Sequence, residues 1–143
     1  MPDLTISLAT STELVDVYAL FKQIVDAEFS WQEKVASYPT FLKSVAGEEI
    51  YVAKVAGKVC GFLTFWRADN FVHNLFVAKD WRKCGLATAL LATVLATSKN
   101  AVYLKCVSHN HQALAFYRQA GWRIAKKCLT ETPPYYLLVK KRC

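Results

Sequence analysis

The residues Val77–Leu91, VAKDWRKCGLATALL, restrict the fold more than any other stretch, because a strand pattern runs into a helix pattern through two cationic residues, a cysteine and a glycine. Upstream, Phe71–Val77 is rich in β-branched and aromatic residues and reads as a strand. Downstream, Leu86, Leu90, Leu91, Val94 and Leu95 recur at helical spacing and predict a helix lasting to about Ser98. A helix start presents unpaired N–H groups and the positive end of the helix dipole, so it attracts anions. Gly85 and Ala87 keep the approach clear of bulky side chains, and Arg82 and Lys83 add charge beside it. The junction therefore reads as an anion cradle built mainly of backbone N–H groups. It is neither the GxxxxGK[ST] phosphate loop nor the GxGxxG dinucleotide turn.

The remaining pattern supplies the frame around this junction. Thr5–Ala9 alternates as a short strand, and Leu14, Val17, Tyr18, Phe21, Ile24 and Val25 mark a helix to about Ala27, with Ser11 as its expected N-cap. A shorter helix is expected after Pro39 and before Gly47. Between these helices, Glu28–Tyr38 is the least regular segment, and its Phe29, Trp31 and Tyr38 read either as core packing or as a pocket wall. Ile50–Val55 and Val59–Trp66, separated by Ala56-Gly57-Lys58, predict a hairpin. Val102–Val107 reads as a strand, and Asn110 caps a helix faced by Ala113, Phe116, Tyr117 and Ala120 and closed by Gly121. Trp122–Leu129 and Tyr135–Val139 read as final strands around a Pro133-Pro134 turn. The order βααβββαβαββ is mixed α/β, and it predicts one central sheet with helices on both faces.

Composition sets the class. A chain of 143 residues with 54% hydrophobic and 20% charged residues fits one globular domain, residues 1–143. No apolar run is long enough to span a bilayer and Met1–Thr10 lacks a signal-peptide pattern, so a cytoplasmic location is expected. Five cysteines without a CxxC pair argue against a zinc ribbon or a disulfide framework, and Cys60, Cys106 and Cys128 read as buried thiols. His109-x-His111 lacks a third ligand at a recognisable spacing, so no metal is expected. The formal charge of +7 favours an anionic partner, whether a phosphate-rich cofactor, nucleic acid or an acidic surface.

Two motifs narrow the choice. Leu75-Phe76-Val77 followed by Arg82-Lys83-Cys84-Gly85-Leu86-Ala87 matches a strand leading into [RQ]xxGx[GA]. After the next strand, Asn110 and Ala113 precede Phe116-Tyr117 and Gly121-Trp122. With both motifs in this element order, the chain resembles the GCN5-related N-acetyltransferase (GNAT) family, strongly over Phe71–Arg123 and in outline before it. The resemblance implies the acyl-CoA N-acyltransferase fold and acetyl-CoA as co-substrate. By position, backbone groups of Arg82, Lys83, Cys84, Gly85, Leu86, Ala87 and Thr88 would receive the diphosphate. Leu75, Phe76 and Val77 would offer a strand edge to the pantetheine arm. Asn110 would contact that arm, and Tyr117 would stand near the sulfur as a donor to the departing thiolate.

The amine must lose a proton before it attacks, and the place where family members often carry a glutamate holds Phe71 here. His73, on the same strand face, is the first candidate for the base, with Glu28, Glu33 and Glu49 behind it. A bulge could alter that facing. The expected activity is acetyl transfer to a small-molecule or peptide primary amine, without nucleic acid or membrane as partner and compatible with a homodimer. Two alternatives stay open: an acyl-CoA sensor without turnover, and an acetyltransferase acting on RNA-linked amines. An acyl-cysteine on Cys84 is not required, because the amine can attack the thioester directly.

Overall fold

A computed structural model of the chain describes residues 3–28 and 37–141. Among these residues, seven strands form one mixed sheet: β1 (Leu4–Leu8), β2 (Glu49–Val55), β3 (Lys58–Trp66), β4 (Phe71–Val77), β5 (Val102–Val107), β6 (Arg123–Cys128) and β7 (Tyr135–Lys140). Their spatial order is β1-β2-β3-β4-β5-β7-β6. Among the described residues, four α-helices accompany them: α1 (Glu13–Glu28), α2 (Tyr38–Ser44), α3 (Leu86–Thr97) and α4 (His111–Gln119). The mixed α/β class and the order βααβββαβαββ follow the sequence pattern.

The apolar faces read from the sequence decide which helix lies where. Leu86, Leu90, Leu91 and Val94 of α3 pack with Ala53, Leu63, Phe65 and Val72 of the central strands. Ala113, Leu114, Phe116 and Tyr117 of α4, with Ala120 just beyond its end, join the same cluster beside Leu104, Cys106 and Leu138. On the other face, Val17, Leu20 and Ile24 of α1 and Phe41 of α2 meet Val52 and Phe62. Helices therefore cover both faces of the sheet.

Some local expectations are corrected. Thr10, not Ser11, caps α1: its Oγ1 accepts from the Glu13 N–H at 3.3 Å, and Glu13 Oε1 accepts from the Thr10 N–H at 3.0 Å. This reciprocal pair is a capping box, which the T-x-x-E spacing also satisfies. Trp122 precedes β6 and is buried instead of starting the strand, while Leu129 beyond it is exposed. Cys60 and Cys106 are buried, but Cys128, on the sheet's edge strand, is only half-buried.

The feature that creates a site is a failure of pairing. β4 and β5 run parallel, yet only Phe71↔Tyr103 and Val72↔Leu104 are in register. β5 stays paired with β7 along its whole length, so it is β4 that turns away. A cause is visible on its other side, where Thr64 opposes Asn74 and Phe65 opposes Val72, leaving His73 as an extra residue. Such a bulge bends and twists the strand that carries it. From Asn74 to Val77, β4 exposes an edge with no strand opposite among the described residues.

The start of α3 is held against this region by Leu86 and Leu90, which are 1% and 0% exposed. Leu90→Ala should cost about 2–5 kcal/mol. A urea titration would check this, and a midpoint equal to that of the wild type would contradict the assigned packing.

Candidate active site

The gap between β4 and β5 opens into a cleft of about 1050 Å³. Leu75, Phe76 and Val77 line one wall, Arg82, Lys83 and Ala87 the mouth beside α3, and Asn110, Ala113, Phe116 and Tyr117 the wall supplied by α4. Because β4 alternates, Leu75 and Val77 pack toward α3 while Phe76 packs toward α1, edge-on to Phe21.

At this mouth, where the sequence pattern predicts an anion cradle, the chain makes a sharp turn into α3. Lys83 and Gly85 both adopt left-handed backbone, with φ of 61° and 88°. For glycine this is free of strain, and it lets the chain turn sharply into α3. The helix has no side-chain cap, and its first bond runs from the Ala89 N–H to the Gly85 carbonyl. The N–H groups of Leu86, Ala87 and Thr88 therefore precede the helical ladder and lack an acceptor within it. Arg82 Nε donates to the Val77 carbonyl at 3.1 Å, which ties the end of β4 to the loop.

Not every residue expected at the cofactor site lines the cleft with its side chain. Leu86 is buried in the core, and Cys84, Gly85 and Thr88 are exposed. None of these four is among the residues lining the cleft. The Cys84 thiol donates to the Arg82 carbonyl at 3.4 Å.

Across the cleft, Asn110 caps α4, with its Oδ1 accepting from the Ala113 N–H at 3.1 Å. Tyr117 lies two turns further along the same face, its ring edge-on to Phe116 and Trp122. Its hydroxyl has no hydrogen-bond partner among the described residues. Burial, with a smaller contribution from the neighbouring Cys106, pushes this phenol well above its ordinary range. It stays protonated at neutral pH and is able to donate a hydrogen bond. Cys106 is likewise raised by burial, so it is a neutral thiol and a poor nucleophile.

The candidate bases separate clearly. Glu49 receives Arg67 through two bonds of 2.8 and 2.7 Å and the Tyr51 hydroxyl at 2.6 Å. The guanidinium holds its carboxyl below the usual range despite partial burial, so this residue is committed to a structural clamp with the end of α3. Glu33, Phe29 and Trp31 lie outside the described residues, and Glu28 is the last residue of α1. Tyr38 packs on Tyr18, with ring centroids 5.3 Å apart. His73 is half-exposed, and its Nδ1 stands 3.0 Å from Glu48 Oε2. The bulge leaves His73 facing away from Val72 and brings Asn74 to the same face, where it donates to the Thr64 hydroxyl at 2.9 Å.

Sequence reasoning missed part of the cleft. Gln112, His109 and Val107 line it, as does the turn Thr132-Pro133-Pro134. The i, i+4 spacing of Gln112 and Phe116 was available as a signal. The turn gave none, because only the β5-β7-β6 order and the bond from the Ser108 N–H to the Pro134 carbonyl bring it there. Among the described residues, no group of three or more His, Cys, Asp or Glu side chains is arranged to hold a metal ion. None of the helices is long and apolar enough to cross a membrane, again among the described residues.

The raised phenol of Tyr117 has a consequence for stability. Above about pH 10 the unfolded chain releases this proton while the folded chain keeps it, so stability is full below that pH and falls as pH rises toward the folded value. Urea midpoints measured between about pH 8 and pH 11 should show this decline. Tyr117→Phe should flatten it, and an unchanged slope would contradict the assignment.

Comparison with known proteins follows the same geometry. The family model described as Acetyltransferase (GNAT) family matches residues 17–122. Among solved structures, the chain is similar to Ard1 from Thermoplasma volcanium, with a TM-score of 0.75, 20% identity and 96% of each chain covered. It is similar to yncA, a putative acetyltransferase from Salmonella typhimurium solved with acetyl-CoA, at a TM-score of 0.76 and 15% identity, covering 98% of this chain and 94% of the other. It is also similar to spermidine N-acetyltransferase from Vibrio cholerae, solved with CoA and spermine, at a TM-score of 0.75 and 16% identity, covering 97% and 95%. No curated protein matches the chain in sequence.

Proposed function

Because this chain belongs to the acetyltransferase (GNAT) family, we propose that it transfers an acetyl group from acetyl-CoA to a primary amine by direct attack on the thioester. The observation that carries the reading is the coincidence of an unpaired β4 edge with an uncapped helix start at the two ends of one cleft. A long ligand with a diphosphate at one end and an amide-bearing arm at the other matches both. The structures solved with acetyl-CoA or CoA support the choice of ligand by analogy of fold.

In this reading, backbone N–H groups at the α3 start receive the diphosphate, with Arg82 and Lys83 adding charge at the mouth. Leu75–Val77 provide main-chain groups to which an extended amide arm can pair like an added strand. A β4 N–H would also meet the carbonyl oxygen as it becomes anionic, an interaction typically worth a few kcal/mol. Acetyl-CoA supplies the activated acyl group. Asn110 orients the arm, and Tyr117 offers its hydroxyl to the sulfur as negative charge develops there. His73 is the residue of this reading that takes the proton of the amine. Spermine and a peptide appear in similar solved complexes, which keeps both polyamines and peptide N-termini among the amines to be tried.

Calorimetry and a thiol-release assay test these roles separately. Gly85→Val should abolish CoA binding, because a β-branched residue resists the left-handed backbone that Gly85 adopts. Tyr117→Phe should lower kcat by about tenfold or more while leaving CoA affinity near that of the wild type. Equal losses in both parameters would remove its role at the sulfur. Tight CoA binding without turnover on any amine would instead favour a sensor.

A further inference from the structure

Glu48, at the entrance to β2, has a side chain only 5% exposed, and its environment is incomplete. Oε2 lies 3.0 Å from His73 Nδ1, while the buried Oε1 has no hydrogen-bond partner among the described residues. A carboxylate removed from water with one oxygen unsatisfied is costly unless its one partner donates strongly or carries positive charge. The imidazole is placed to do both. Its ring is 49% exposed, so with Nδ1 turned to the carboxylate, Nε2 is the nitrogen left toward the open side.

The position of this pair in the sheet gives it a use. His73 is the first β4 residue beyond the last pair with β5, at the vertex of the gap, and it is the extra residue of the bulge against β3. Leu75, the first wall residue of the cleft, is two residues on, or about 7 Å along the strand. The α3 loop and α4 occupy one face at this gap, and His73 lies on the other. His73 does not itself line the cleft, but Ile24 of α1, on the face that His73 shares, does, so the cleft reaches both faces of the sheet and an amine can enter from the one that carries His73.

We propose that Glu48 is the positioning residue of a Glu48–His73 pair that takes the proton of the acceptor amine; this rests on the acetyltransferase reading above. Glu48 accepts the Nδ1–H bond, fixes the tautomer with the Nε2 lone pair outward, and supports the imidazolium that forms. His73 Nε2 accepts one proton from the ammonium, leaving a neutral amine whose nitrogen forms the C–N bond as the carbonyl adds the electron pair. Collapse breaks the C–S bond, the second amine proton goes to the sulfur, and His73 returns its proton to solvent. The products are the amide, the free thiol and one proton. The acceptor is thereby specified as an amine that arrives as a cation, drawn to the buried negative charge behind the ring.

The test uses the full chain, acetyl-CoA, and spermidine, a Met-initiated peptide and lysine methyl ester as probe amines. His73→Ala should lower kcat by about 10²-fold with CoA affinity unchanged, and added imidazole should restore part of the loss. Glu48→Gln should lower kcat by about tenfold without changing the KM for acetyl-CoA, and Glu48→Asp should recover part of it. Nitrogen-15 NMR of the wild type should show neutral His73 as the Nδ1–H tautomer, lost in Glu48→Gln. If Tyr117→Phe impairs turnover while His73→Ala and Glu48→Gln do not, or if His73 is the Nε2–H tautomer, the pair has no such role and the acetyltransferase reading stands. Absence of CoA binding by the wild type removes that reading and the pair's role with it.

Discussion

Parallel pairing between β4 and β5 stops after two residue pairs, and most of the candidate site is a consequence of that stop. A strand in the middle of a sheet normally satisfies its N–H and C=O groups on both sides. Here, from Asn74 onward, one side is given up. The bulge at His73 redirects β4, the intact β5–β7 ladder keeps β5 in place, and the space between them becomes a cleft. The exposed edge is tolerable in a folded protein only where water or a ligand meets it. An extended ligand with amide groups is suited to do so.

The two helices beside the gap supply opposite kinds of chemistry. α3 presents its N-terminus, with no side-chain cap and a left-handed turn before it, so its contribution is a fixed field of backbone dipoles. α4 presents side chains, Asn110 as both cap and lining residue and Tyr117 two turns later. Burial sets the state of two groups, one in the cleft and one beside it. It keeps the Tyr117 proton on the phenol, making it a donor, and it leaves Glu48 dependent on His73. Glu49, next in sequence to Glu48, is taken out of the chemistry by Arg67. Adjacent carboxylates thus meet different partners because successive residues of an extended chain point to opposite faces.

Much of this was legible in the sequence, for reasons that differ from residue to residue. The strand Phe71–Val77 and the strand Val102–Val107 were readable to the residue because β-branched and aromatic side chains end abruptly at turn residues. The helical faces of α1 and α3 were readable because burial repeats with the helix period. The cap of α1 was placed one residue late, since Thr10, Ser11 and Thr12 are all capable caps and only the reach of Glu13 selects Thr10. Leu86, expected in the cofactor loop, has its side chain in the core and is not among the residues lining the cleft. A motif gives positions along the chain, not the direction of a side chain.

The sequence by itself determined the element order, the anion-attracting junction at Arg82–Ala87 and the helical spacing of Asn110 and Tyr117, because each depends on residues close together in the chain. Only the tertiary structure decided where β4 leaves β5, that the Thr132–Pro134 turn borders the cleft, and that Glu48 rather than Glu49 meets His73. These depend on sheet register between segments far apart in sequence. A shift of one residue in such pairing moves every side chain to the opposite face, and no local pattern records which alternative is adopted.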